Sequence, residues 1–398
     1  MQRRIHRLSP LFVAEPRVAI AYDCLFPINS GGGERVYRRM AELLTERGSE
    51  VDYVTRAQWD GPAPKAGFSV VPVWRGAIYD SSGTRTPVSA VKFAVALFRH
   101  FRARRGAYDV VIVSALPFLN VFAVQLALTG SKTFIVSDWL EVWGWRQWRA
   151  YSGALMGTVA SVLQFVAIRV GNLHTVNSLF TGSRIRGYRR GATPVTLGLI
   201  DLVGAAPDVT TERGDEPYLI FIGRHIADKR LIDLLPALLE ARRQISDLRL
   251  IIVGSGPETA AVTARITELG LDEIVTLAGR VSDAELHTLL AGARALVNPS
   301  RREGFGLVVA EAAAVATPSV VVAGPDNAAA ELVHNGVNGF VAASVAPHDL
   351  ASAIVTVVTA GEPLRRSAQV WFEQERTAGG LGRSIDEILQ AYRSAKTR

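Results

Sequence analysis

The chain has 398 residues and one cysteine, Cys24. That excludes an internal disulfide framework and any metal site built from several cysteines; it suits a reducing compartment, with Cys24 read as core filling. No Asp-x-Asp triplet occurs, so the short acidic motif that anchors a divalent ion is missing, and His225, His287, His334 and His348 show no His-x-x-x-His spacing. Metal independence is the expectation. No apolar run is long enough to span a bilayer: Gly153 to Ile168 is 16 residues, interrupted by Ser, Thr, Gly and Gln, against the ~20 required. It reads as a buried core helix. Residues 1–16 contain arginines but neither a continuous apolar core nor a small-residue cleavage site, so they read as a flexible tail rather than a secretory signal. RNA-binding aromatic signatures and helix-turn-helix spacing are also missing, and no nucleic acid partner is expected.

What is present is a globular composition, 48% hydrophobic and 20% charged, on a chain long enough for two domains. The net charge of +7 is unevenly spread. Residues 1–200 carry 25 Lys and Arg against 12 Asp and Glu, whereas the remainder carries 19 against 25. The basic half suits an anionic membrane face or a phosphate-bearing acceptor.

Short apolar runs alternate with helical patterns along both halves. Arg17 to Asp23, Val51 to Thr55, Val110 to Ser114 and Thr133 to Ser137 read as strands, as do Tyr218 to Ile222, Leu248 to Val253, Ile274 to Leu277, Ala295 to Val297 and Ser319 to Val322. The alternation predicts an α/β protein with doubly wound parallel sheets. Asp201 to Pro217, rich in Pro, Gly, Asp, Glu and Thr, reads as a linker. The expected division is therefore 1–200, a linker at 201–217, a second domain at 218–375, and a C-terminal segment at 376–398 packing back on the first domain as a helix from about Ser384 to Lys396. Two such domains form a cleft, and ligands bind beyond the carboxyl ends of the strands.

The run from Asn298 to Glu311 constrains the chemistry most. Glu303 and Glu311 flank a Gly-Phe-Gly turn. With a helix from Leu307 to Ala316, Glu303 lies in the loop before it and Glu311 one to two turns inside, while the free N–H groups of Leu307 and Val308 suit a diphosphate. The plain alternative is two solvated glutamates. Gly31-Gly-Gly33 after the first strand lets a ligand approach the backbone, or is simply a tight turn. A dinucleotide-binding motif is incomplete, because Val36 stands where the third glycine belongs, which disfavours a nicotinamide oxidoreductase.

These pieces, in this order, resemble the retaining glycosyltransferases of family 4, with a GT-B fold of two facing Rossmann-like domains. The matching residues are Gly31 to Glu34, Gly223-Arg224 with Lys229, Val253 to Pro257, Gly279-Arg280-Val281, Pro299 to Gly306, Glu311 to Ala314 and Asn335 to Phe340. The resemblance implies transfer of a sugar from a nucleoside diphosphate, with Arg224 and Lys229 on the phosphates, Glu303 on the donor sugar and Glu311 on the ribose. It further implies donor contacts from Gly32, Gly33, Gly223, Gly254, Gly304, Phe305, Gly306, Leu307 and Val308, and backbone contact of Gly279, Arg280 and Val281 with the base. Many members carry a histidine after a mid-domain strand of the first half; here Ser137 to Trp143 has none, and Asp138 is the expected substitute, with Glu141 in reserve.

The acceptor side is marked by Val88 to Arg105, where Val88, Val91, Val95 and Phe98 share a helical face ahead of a cationic cluster. Such a helix lies in a membrane interface, or is a core helix ending in solvated arginines. Trp139, Trp143, Trp145 and Trp148 form a core cluster or a platform for sugars or lipid headgroups. The expectation is an enzyme on the cytoplasmic face of the membrane delivering a hexose to a glycan or lipid-linked acceptor. The alternatives are a soluble-acceptor transferase of the sucrose or trehalose synthase type and a nucleotide-sugar-binding protein without turnover.

Overall fold

The computed structural model describes residues 15–29, 31–78, 86–204 and 217–397. Most of the expected tail and most of the expected linker lie outside the described residues.

The first domain runs β1 (Val18–Ala21), α1 (Gly32–Glu46), β2 (Val51–Ala57), β3 (Ser69–Arg75), α2 (Pro87–Ala103), β4 (Val110–Ser114), α3 (Leu119–Leu128), β5 (Phe134–Trp139), α4 (Trp145–Ser152), α5 (Ala154–Ala167), β6 (Leu173–Val176), α6 (Leu179–Tyr188) and β7 (Val195–Thr196). Its seven strands form one parallel sheet in the order β3-β2-β1-β4-β5-β6-β7. Every residue of β1, β4 and β5 is buried, because helices cover both faces, and this is why these strands are uninterrupted apolar runs. β3 escapes the alternation because it contains Pro72; it lies at the sheet edge, where a missing donor is tolerated.

The second domain runs β8 (Tyr218–Ile222), α7 (Leu231–Ala241), β9 (Arg249–Val253), α8 (Thr259–Glu268), β10 (Val275–Gly279), α9 (Asp283–Gly292), β11 (Ala295–Asn298), β12 (Arg302–Glu303), α10 (Leu307–Ala314), β13 (Ser319–Val322), β14 (Asp326–Asn327), β15 (Gly339–Ala342), α11 (Pro347–Ala378) and α12 (Leu381–Lys396). Six strands form a second parallel sheet, β10-β9-β8-β11-β13-β15. In each sheet the strand order reverses beside the first strand, at β1/β4 and at β8/β11, and crevices open at such points. α11 bends at Gly361, which has φ 57°. α12 then returns to the first domain, burying Leu381, Ile385, Ile388, Leu389 and Tyr392 with Val36, Tyr37 and Met40 of α1.

One expectation needs correction, and one is sharpened. Residues 153–168 are not a buried core helix: in α5 only Gly157, Gln164 and Ala167 are buried, and Leu155 is 77% exposed. α2 is two-faced. Phe93, Leu97 and Phe101 enter the core, whereas Val88, Val91, Val95 and Phe98 face outward. Cys24 is buried, and desolvation pushes its thiol up to about 12, which leaves it inert.

Candidate functional site

A cavity of about 440 Å³ lies between the domains, at the switch points of both sheets. Its second-domain wall is built by the chain leaving β8 and β11. Gly306 takes a left-handed conformation, φ 97°, and caps α10, so the first N–H groups of that helix, at Leu307 and Val308, open on the cavity. Glu311 follows one turn later. Glu303 is held in the short parallel pair β12/β14 rather than in a free loop. It accepts hydrogen bonds from Asn298 Nδ2 at 3.2 Å and Ser300 Oγ at 3.0 Å, and it pairs with the Lys229 ammonium. Buried Asn298 and Ser300 thus fix the carboxylate before any ligand arrives.

The opposite wall is Gly32, Gly33, Leu140, Glu141 and Asn177. The domains touch here. A Cβ added to Gly32 would lie 3.1 Å from Leu307 Cδ1. Arg35 Nη2 donates to Glu311 Oε1 at 2.7 Å, and Arg184 Nη2 reaches Asp326 Oδ1 at 2.5 Å and the Pro325 carbonyl at 2.9 Å.

Of the residues expected at the site, Gly32, Gly33, Gly223, Lys229, Glu303, Gly304, Phe305, Gly306, Leu307, Val308 and Glu311 line the cavity together. Arg224 does not; it is exposed, next to Gly223. Gly254, Gly279, Arg280 and Val281 also lie off the wall. Gly254 supports it from behind: its φ is 125°, its N–H donates to the Gly279 carbonyl at 2.7 Å, and a Cβ there would meet the Gly223 carbonyl oxygen at 1.9 Å.

Asp138 requires a correction. It is fully buried and does not line the cavity, accepting from Tyr37 Oη at 2.5 Å and from Thr175 Oγ1. Desolvation pushes its carboxyl up to about 6, against the pull of the Thr175 and Tyr37 hydrogen bonds. The acid that reaches the cavity is Glu141. Its carboxyl is raised by burial, against the hydrogen bond from Trp143 and the charge of Arg302, while Glu303 and Asp228 add to the rise. Arg35 and Asn177 were not expected; Arg35 follows the quoted Gly-Gly-Gly-Glu stretch directly, and its partner lies 276 positions away.

Trp139 is buried, Trp143 and Trp148 are half-buried with ring centroids 4.5 Å apart, and Trp145 is exposed. The tryptophans therefore divide between core and surface. Among the described residues, no group of three or more His, Cys, Asp or Glu could hold a metal ion.

Two all-parallel α/β domains facing across this cleft define a GT-B architecture. The chain belongs to the glycosyl transferases group 1 family, whose model matches residues 205–369. It is 31% identical over 301 residues to the GDP-mannose-dependent alpha-(1-6)-phosphatidylinositol monomannoside mannosyltransferase of Mycolicibacterium smegmatis, covering 68% of this chain and 75% of that protein. The alpha-D-kanosaminyltransferase of Streptomyces kanamyceticus is 26% identical over 179 residues; the match spans 45% of this chain and 46% of that relative, about half its length. Among solved structures, sucrose-phosphate synthase from Thermosynechococcus elongatus superposes with a TM-score of 0.74 at 17% identity, over 96% of this chain and 99% of that one. Anabaena HepE in complex with UDP and glucose gives 0.65 at 17% identity, over 95% and 100%. These likenesses establish the fold.

Proposed function

We propose that this protein is a retaining, metal-independent glycosyltransferase that moves a hexose from a nucleoside-diphosphate sugar to a glycan or lipid-linked acceptor in cell-envelope polysaccharide or glycolipid synthesis. The observation that carries the reading is the convergence of Lys229, Glu303, Glu311 and the N-terminus of α10 on one cavity wall. Cleavage of the anomeric carbon–oxygen bond leaves growing negative charge on the departing diphosphate. The Lys229 ammonium and the amides of Leu307 and Val308 stabilise it, with Arg224 as a second cation beside Gly223. Carboxylates only accept hydrogen bonds, which suits Glu303 to sugar hydroxyls and Glu311 to the ribose. Glu141 takes the place on the acceptor side that Asp138, being buried, leaves vacant. The base rests against the Gly279 to Val281 backbone.

The Mycolicibacterium relative is named for a phosphatidylinositol monomannoside, which favours a lipid-linked acceptor here. The outward Val88, Val91, Val95 and Phe98 of α2 support peripheral attachment at the cytoplasmic face through residues 88–105. No described helix is long and apolar enough to cross a membrane.

A thermal-shift panel of UDP-, GDP- and ADP-sugars tests the donor site, since a ligand at about a hundred times its dissociation constant adds ~2.7 kcal/mol. Glu311→Ala should weaken every nucleotide, whereas Glu303→Ala should weaken intact donors more than free diphosphates. Equal losses would refute the separate roles given to the two acids; no shift with any nucleotide would remove the reading.

A further inference from the structure

The two faces of the first sheet carry helices of opposite character. On one side, α1 and α12 mix both signs of charge, including Glu42, Glu46, Asp386 and Glu387. On the other side, α2, α3, α4 and α5 contain no Asp or Glu at all, and residues 142–200 hold seven arginines and no acid. α2, α3 and α5 meet the same face of the sheet through Phe93, Leu97, Val121, Val124 and Ala167. Nineteen large hydrophobics are exposed among the described residues, and thirteen of them lie on α2, α3, α4 and α5. That is concentration into a patch, not scatter.

The largest part of the patch is the α4–α5 hairpin, and its apolar side cannot turn inward. A Cβ on Gly157 would meet the Trp148 carbonyl oxygen at 2.4 Å, so the helices already cross in contact. Buried Gln164 accepts from the Trp143 N–H at 2.9 Å and from Trp148 Nε1 at 3.1 Å, and donates to the Trp143 carbonyl at 2.6 Å. The inner side of α5 is thereby committed to α4 and to the loop that carries Glu141. Leu155, Met156, Val159, Val162 and Phe165 are left outside. Exposed Arg146, Arg149 and Arg169 accompany them; the first two lie over the Trp145 ring and the third over Phe165 at 3.5 Å.

We propose that the α4–α5 hairpin is a lipid-inserting element: it seats in the headgroup region of an anionic bilayer, with α2 on the same side of the sheet beyond α3, and sets the cleft over the membrane. α5 has 14 residues, too short to span, and its uncharged side suits burial to ~5–10 Å with arginines at phosphate level. Trp143 and Glu141 join the hairpin to the cavity, so a lipid-anchored acceptor rising beside α4 meets the cavity at Glu141. This rests on the lipid-linked acceptor reading above.

The test is sedimentation of the full chain with phosphatidylcholine vesicles, with and without phosphatidylglycerol, at low salt. Binding is expected only with phosphatidylglycerol. Val159→Asp should lower the bound fraction by about tenfold and Val95→Asp by less, since the hairpin presents the larger apolar face. Leu155→Cys carrying an environment-sensitive dye should shift blue on vesicles; Cys24 is buried and escapes the label. Nucleotide thermal shifts of Val159→Asp should match wild type, which confirms folding and separates this idea from the donor-site reading. Loss of binding through Val95→Asp alone overturns the hairpin while sparing the 88–105 attachment. No wild-type binding to either vesicle overturns both. A dimer that Val159→Asp converts to monomer, with vesicle binding unchanged, shows that the face pairs two copies and likewise overturns the proposal.

Discussion

On the proposed donor site, nucleotide entry competes with Arg35. Its guanidinium lies 2.7 Å from Glu311 Oε1, so a ribose that bonds to that carboxylate has to displace an arginine contributed by the other domain. The side chains are 37% and 17% exposed. Such a pair is screened by water and contributes ~0.2–1 kcal/mol, far below a fully buried pair. Arg35→Ala removes the competitor and keeps the acceptor, so affinity for UDP or GDP should rise, with the dissociation constant falling by about two- to fivefold at most. Isothermal titration of wild type and variant at low and high salt reads this directly. Salt weakens the ion pair, so the gap between the two proteins should narrow as salt is added. A double-mutant cycle with Glu311→Ala isolates the coupling. If Arg35→Ala binds nucleotide more weakly than wild type at low salt, Arg35 holds the ligand instead of excluding it, and the reasoning fails.

Asp138 should make stability depend on pH. Its carboxyl is displaced upward from 3.8 to about 6, so the folded state binds the proton more tightly; that contribution is fully present below the unfolded value and is lost as pH rises through about 6. Asp138→Asn has no proton to lose and should gain on wild type by about 3 kcal/mol between roughly pH 4 and pH 7.5 in urea unfolding; a constant gap would refute the shift. Gly254→Ala should destabilise by roughly 2–4 kcal/mol, through its positive φ and its collision with Gly223, and should weaken nucleotide binding by displacing the wall; an unchanged melting temperature would refute the backing role. If Lys229 and the α10 amides supply the positive charge as proposed, adding EDTA to purified protein should leave sugar transfer intact; a loss that magnesium restores would show a metal at work.

The sheets are legible in the sequence because strands buried on both faces leave unbroken apolar runs, as in Val110 to Ser114. The cavity wall from Glu303 to Glu311 is legible because glycines mark where the backbone turns and a helix start marks where N–H groups are free. The choice between Asp138 and Glu141 is not. Asp138 pairs in register with Thr175 of β6, and its carboxylate is taken up by Thr175 and by Tyr37 of α1 instead of the cavity, which only those neighbouring elements determine. The Arg35–Glu311 contact is equally invisible, since it depends on how two separately folded domains dock.

Hydropathy alone misassigns α5, because an apolar helix in a core and one against a lipid surface share a composition. Burial there is decided by Gly157 and Gln164, a gap and an amide that take up the inner side. The discriminating signal is the charge partnership of the outer side. α1, on the opposite face of the sheet, answers Arg38 and Arg39 with Glu42 and Glu46, at 2.9 Å for Arg38–Glu42 and 2.8 Å for Arg39–Glu46. The arginines around α5 have no carboxylate within the stretch 142–200 to answer them. An apolar surface bordered by cations of one sign is poorly matched to water or to another copy of itself, where like charges would meet; it is matched to a layer whose interior is apolar and whose surface is anionic.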